Sequence, residues 1–234
     1  MPQLILFDID GTLVLTGGAG GRAMSRAFLD VFGIDDAFRN IPMPGRTDPL
    51  ILADALMRAR IDGHGASRRF RARYQQCLVE EIARPGPRKG VLPGIPELLH
   101  AVSQRQDMFL ALLTGNYREA ARIKLEYFSL WDYFLCGAYG EEAPDRNQLV
   151  AVAADRAREC GVPDEALARI TVIGDTPLDV ACARAGGAHA MAVATGGHSV
   201  EELRQAGADV VFEDLSDTAR VVAALEAAHD GRRR

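Results

Sequence analysis

Short, mainly apolar runs recur along the chain at 4–9, 108–113, 133–136, 170–173, 188–193 and 209–212. Runs of this length suit strands buried on both faces, as in a parallel sheet. Between them, apolar residues are spaced at helical intervals over 91–104, 119–128, 147–160, 178–185, 200–205 and 216–228. Three of these helices carry start signals. Asn116 is followed by Glu119, Thr176 by Pro177 and Asp179, and Ser199 by Glu202, each pair reading as an N-cap with an acidic partner. The alternation predicts an α/β fold with a doubly wound parallel sheet.

The rhythm breaks once. From 16 to 89 the pattern is helical, with candidates at 21–32, 48–60 and 67–84. Gly17–Gly21 and the Pro85-Gly86-Pro87 turn mark the two crossings. The expected organisation is an α/β core of residues 1–15 and 90–234, with residues 16–89 inserted as a helical domain. The Gly17–Gly21 stretch is read as a hinge and helix start, since it lacks the GK[ST] ending of a phosphate-binding loop. The basic tail 231–234 is expected to be disordered.

Composition narrows the function. The 234 residues carry 27 Lys+Arg against 32 Asp+Glu, a net charge of −5, which argues against nucleic acid as a partner held by bulk charge. No apolar stretch reaches the length of a membrane span, and the N-terminal run is too short for a signal peptide, so no membrane is expected and a cytoplasmic location is. Cys77, Cys136, Cys160 and Cys182 form no CxxC pair and read as buried reduced thiols. The histidines show no metal spacing; His64 and His198 read as loop residues and His189 as a strand residue. Oligomeric state is not legible.

In an open α/β sheet, ligands bind beyond the carboxyl ends of the strands. The first run ends in Phe7-Asp8-Ile9-Asp10-Gly11-Thr12, the second in Leu113-Thr114-Gly115-Asn116 and the fourth in Gly174-Asp175-Thr176-Pro177-Leu178-Asp179. Carboxylates, a hydroxyl and small residues thus converge on one edge. Oxygen ligands of this kind suit a hard cation such as Mg²⁺. The cation offsets repulsion between the acids and a phosphate, a carboxylate can attack phosphorus, and a second carboxyl can move the proton.

These three segments resemble, in order and spacing, motifs of the haloacid dehalogenase superfamily. The helical insert after the first motif is similar to the C1-type cap of its phosphoglycolate phosphatase-like members. The resemblance implies a phosphomonoesterase that uses Mg²⁺ and an aspartyl-phosphate intermediate on a small phosphorylated metabolite. Asp8 would be nucleophile and metal ligand, and Asp10 the general acid/base with its carbonyl on the metal. Thr114, with Gly115 and Asn116, would hold the phosphoryl group. Asp175 would ligate the metal, with Asp179 supporting it. Many relatives carry a Lys-Pro pair after the third strand; the corresponding stretch, 140–147, has no lysine. Arg146 is the replacement on that stretch, and Lys124, two turns along the helix after Thr114, is its rival. Arg46, in Pro44-Gly45-Arg46-Thr47-Asp48 of the insert, can reach an anionic substrate group or lie in solvent. Arg68, Arg69, Arg71 and Arg73 read as a solvated helix face.

Two other functions remain open. Phosphoryl transfer of the β-phosphoglucomutase kind needs a His-Lys pairing near the hinges, and no histidine lies near the entrance hinge. A non-catalytic module binding a phosphorylated metabolite would be expected to have lost an acid that is present here.

Overall fold

In the computed structural model, residues 1–63 and 65–229 are described; His64 and the tail 231–234, read above as loop and disordered end, lie outside the described residues. β1 (Gln3–Phe7) is buried along its whole length. Its Ile5 and Phe7 point into one apolar cluster, Leu4 and Leu6 into another, as strand alternation between two covered faces requires. β2 (Val14–Leu15) follows, then α1 (Ala19–Phe32), α2 (Asp48–Arg58) and α3 (Ala66–Ala83), and then β3 (Gly90–Val91). Beyond these lie α4 (Ile95–Ser103), β4 (Met108–Leu113), α5 (Arg118–Tyr127), β5 (Gly137–Ala138), α6 (Leu149–Glu159) and the short α7 (Asp164–Leu167). The chain continues through β6 (Ile170–Gly174), α8 (Pro177–Ala185), β7 (His189–Val193), α9 (Val200–Gln205), β8 (Val210–Phe212) and α10 (Thr218–Ala227).

Six strands pair in parallel in the order β5-β4-β1-β6-β7-β8. Side chains of α4, α5 and α10 cover one face, and those of α6, α7, α8 and α9 the other. The fold is the expected doubly wound α/β sheet. The strand order reverses at β1, so β1, β4 and β6 deliver their carboxyl ends side by side.

Several local expectations change. The sequence pattern puts the third strand at 133–136; in the structure Trp131–Tyr133 is a 3₁₀ turn and the strand is Gly137–Ala138. Gly137 allows this close pairing, since a Cβ there would lie 2.8 Å from Leu112 Cβ. The helix expected at 91–104 is shortened to Ile95–Ser103, because Gly94 at φ 79° ends the preceding turn and Val91 joins β3. β3 pairs antiparallel with β2, Val14 opposite Val91 and Leu15 opposite Gly90. Just beyond, Gly17 and Gly86 touch: a Cβ on Gly17 would sit 2.8 Å from Gly86 Cα. Thr176 and Ser199 close full capping boxes with Asp179 and Glu202. Asn116 does not cap α5; Tyr117 occupies that position without a side-chain cap.

α1, α2 and α3 pack around Phe28, Phe38, Phe70 and Tyr74, a third apolar cluster. Tyr117 and Ala120, from the segment that starts α5, are buried in it too. Arg71 and Arg73 are not simply solvated: Arg71 pairs with Glu141 and Arg73 with Asp30 at 2.7 Å. Cys77 and Cys182 are buried as expected, whereas Cys160 is exposed. Among the described residues, no helix is long and apolar enough to cross a membrane.

Candidate functional site

β1 ends one residue before Asp8, whose N–H still donates to Ile173 O at 2.9 Å and so continues the ladder. Gly11, at φ 87°, turns the chain sharply and passes tight against Asp175; a Cβ there would lie 2.4 Å from Asp175 Oδ2. Gly196 closes the other side of the same carboxylate, where a Cβ would fall on Oδ2 itself. Thr12 donates its hydroxyl to Asp175 Oδ1 at 3.3 Å. Two backbone walls and a hydroxyl thus fix Asp175.

One oxygen from each of Asp8, Asp175 and Asp179 lies within 4.8 Å of the other two, and all three residues are buried. Burial first, then the neighbouring Asp179, pushes the Asp8 carboxyl up to about 7; Arg146 and the Thr114 hydroxyl pull it back. Asp175 is pushed to about 9 by burial, then by Asp179 and Asp8. Burial opposes the Arg146 charge, but Asp179 and Asp8 outweigh it and hold its pKa above the ordinary value.

Arg146 and Lys124 are not alternatives. Arg146 donates through Nη2 to Asp8 Oδ1 at 3.2 Å and to Asp179 Oδ1, and through Nη1 to Gly45 O at 2.9 Å. A guanidinium fork makes such divergent contacts, which one ammonium does not. Lys124 reaches back along α5 and donates to Asp10 Oδ2 at 2.5 Å and to Asn116 Oδ1. The gap to the strand ends is closed from both sides, by Lys124 reaching back and by the Asp10 and Asn116 side chains that meet it. Asn116 donates through Nδ2 to Asp10 Oδ2 at 2.9 Å and to Thr114 Oγ1 at 2.8 Å. Asp8 thus has an arginine partner, and Asp10 has a lysine and an amide.

Asp179 serves Thr176 as well: its Oδ2 accepts from Thr176 N at 3.0 Å and from Thr176 Oγ1 at 2.6 Å. Arg46 lines the cavity, but its guanidinium turns to Asp54 Oδ2 at 2.8 Å and Pro42 O at 3.1 Å. Its backbone carbonyl, not its charge, approaches Gly115. A cavity of about 370 Å³ joins these groups to the insert, where Met24, Met43, Ile51 and Tyr74 form its far wall. Asp48 also lines it and was not singled out from sequence. An acid in the first turn of a helix is too common a signal to mark a site.

A profile of the haloacid dehalogenase-like hydrolases matches residues 5–184. The chain belongs to this family. A phosphoglycolate phosphatase of Rhodospirillum rubrum is 31% identical to this haloacid dehalogenase-like hydrolase over 224 residues, covering 92% of the chain and 89% of the relative. A Dickeya dadantii protein described as "Probable phosphatase IndB" is 27% identical, covering 96% and 95%. The crystal structure of CbbY from Rhodobacter sphaeroides, in complex with phosphate, superposes with a TM-score of 0.70 at 20% identity, covering 93% and 96%. That last likeness establishes the fold of this hydrolase.

The donor set fits the metal that the family implies. Three buried carboxylates, two of them pushed up to about 7 and 9, make a site in which a cation relieves repulsion. All the donors are oxygen, the choice of hard divalent ions.

Proposed function

We propose that this chain, a haloacid dehalogenase-type phosphatase, hydrolyses the monoester of a small phosphorylated metabolite with Mg²⁺ as cofactor, and that an aspartyl phosphate forms on Asp8. The observation that carries the reading is the division of labour between the two acids: Asp8 in the buried carboxylate cluster with Arg146, Asp10 outside it with Lys124 and Asn116. Asp8, Asp175 and the Asp10 carbonyl would hold Mg²⁺, with Asp179 in support. When bound, Mg²⁺ supplies charge neutralisation that lets a phosphate dianion approach the acids.

The carboxylate oxygen of Asp8 attacks phosphorus as the bond to the ester oxygen breaks. Asp10 gives that oxygen its proton, and the alcohol leaves. A water then attacks phosphorus, Asp10 takes its proton, and inorganic phosphate departs with the Asp8 carboxylate restored. Arg146, fixed by Asp179 and Gly45 O, favours the charged form of Asp8 and orients it. Thr114, Gly115 and Asn116, at the end of β4, would hold the phosphoryl oxygens. Residues 16–89 would act as the cap: the apolar wall of α1 and α2, together with Tyr74, would enclose the leaving group and shed bulk water. The match to phosphoglycolate phosphatases makes 2-phosphoglycolate the first substrate to try.

The test is phosphate release from p-nitrophenyl phosphate, 2-phosphoglycolate, sugar phosphates and nucleotides, with Mg²⁺ or EDTA. Mg²⁺-dependent release is expected, and Asp8→Asn should lower kcat by on the order of 10³-fold or more while the fold is retained. A folded wild type that releases phosphate from none of them sinks the reading and turns attention to phosphoryl transfer between sugar positions.

A further inference from the structure

Besides the Arg71–Glu141 pair and the packing of Tyr117 and Ala120 in its apolar cluster, the insert meets the core through four consecutive residues. Arg146 donates to Gly45 O, the carbonyl of Arg46 rests against Gly115, and the Thr47 side chain rests against Gly140. Asp48, 6% exposed, makes two hydrogen bonds across the boundary. Its N–H donates to Gly115 O at 2.7 Å, and its Oδ2 accepts from Tyr117 N at 2.9 Å. These two partners are the backbone groups on either side of Asn116. α2 is built to present them, since Thr47 caps the helix through Leu50 N and leaves the Asp48 carboxylate to face outward from the insert.

Asn116 in turn donates to Asp10 Oδ2, and Lys124 bonds both Asn116 Oδ1 and Asp10 Oδ2. Asp48 thus pins the backbone on both sides of Asn116, and the Asn116 side chain bonds the acid/base carboxyl. We propose that Asp48 is a positioning residue, through which docking of the insert holds Asn116 and Lys124 in place around Asp10. The inference rests on Asp10 being the general acid of the phosphatase reading. Seating of the insert and readiness of the proton donor become one event, so Asp10 is aligned when the leaving group is enclosed. Asp48 needs only an acceptor oxygen for this work. Burial pushes its carboxyl up to about 7, with Lys124 lowering and Asp10 and Glu141 raising it, so its neutral form is accessible near neutrality.

The experiment compares kcat/KM for two leaving groups in wild type, Asp48→Ala and Asp48→Asn, with Mg²⁺ present. The probes are p-nitrophenyl phosphate and the best alkyl phosphate of the panel, 2-phosphoglycolate being tried first. kcat/KM extends only to departure of the leaving group. Nitrophenolate leaves without a proton, whereas an alkoxide needs one from Asp10. Asp48→Ala should lower the alkyl value about 30-fold and the aryl value by less than about threefold, a fraction of what a general acid contributes. Asp48→Asn retains the acceptor for Tyr117 N–H and should restore the alkyl-to-aryl ratio to within about threefold of wild type. If Asp48→Ala does not fold, Asp48→Glu, which shifts the acceptor by one methylene, should show the same selective loss. Equal losses on both substrates, or Asp48→Asn falling with Asp48→Ala, overturn the positioning role and leave the phosphatase reading standing. A wild type without Mg²⁺-dependent release overturns both.

Discussion

Arg146 touches Asp8, Asp179 and Gly45 O through two ends of one guanidinium, while Lys124 holds Asp10 and Asn116. Neither set of contacts substitutes for the other. Arg146→Lys should lose the fork and reduce kcat/KM by on the order of 10- to 100-fold. Lys124→Met should cause a loss of similar size, and steady-state kinetics on one substrate checks both. If either variant is within about twofold of wild type, that cation is dispensable. The main acids were legible from sequence because each follows an apolar run at a strand end, where a charge has no core-forming reason to be. Lys124 and Asp48 were harder. Lys124 depends on how a long side chain folds back along a helix, and Asp48 on how a separate layer docks. Spacing along the chain encodes neither.

At the scale of elements, the crossing between core and insert is fixed by two glycines in contact. Gly17 adopts φ 63°, and a Cβ on Gly86 would meet Gly17 O at 2.5 Å. Gly17→Ala or Gly86→Ala should destabilise the fold by about 1–3 kcal/mol, a loss of roughly 2–10 °C in Tm for a chain of this size. Thermal melts of the two variants give the answer, and unchanged values would mean that the crossing can widen freely. The long elements were readable: β4 spans the expected 108–113, and the three helices of the insert end within about two residues of expectation. The two-residue strands were not. β2, β3 and β5 are too short to show a period, and each exists because a partner lies alongside.

Across the whole molecule, buried carboxyls set the response to pH. Asp8 and Asp48 are pushed up to about 7 and Asp175 to about 9, each from an ordinary value of 3.8. Between the ordinary and raised values the folded chain binds more protons than the unfolded one, so these groups lower stability as pH rises from about 4 to about 9. A divalent cation favours the charged forms of Asp8 and Asp175 and opposes the loss. Without Mg²⁺, Tm should fall over that window; with it, the gain should be larger at pH 8.5 than at pH 5.5. Scanning fluorimetry at the two pH values decides, and a Mg²⁺ gain that does not grow with pH would place the ion elsewhere. The paired β2 and β3, with Gly17 against Gly86, have one more consequence. The chain leaves the core and returns at a single point, so everything between is a loop whose ends are already closed. Doubling such a loop costs only about 0.6 kcal/mol in closure entropy. On the reading of residues 16–89 as an inserted unit, longer or shorter inserts fit this junction at little closure cost, with the strand ends below unchanged. Such an insert would need a strap like 45–48, a partner for Glu141 and an apolar face for Tyr117 and Ala120.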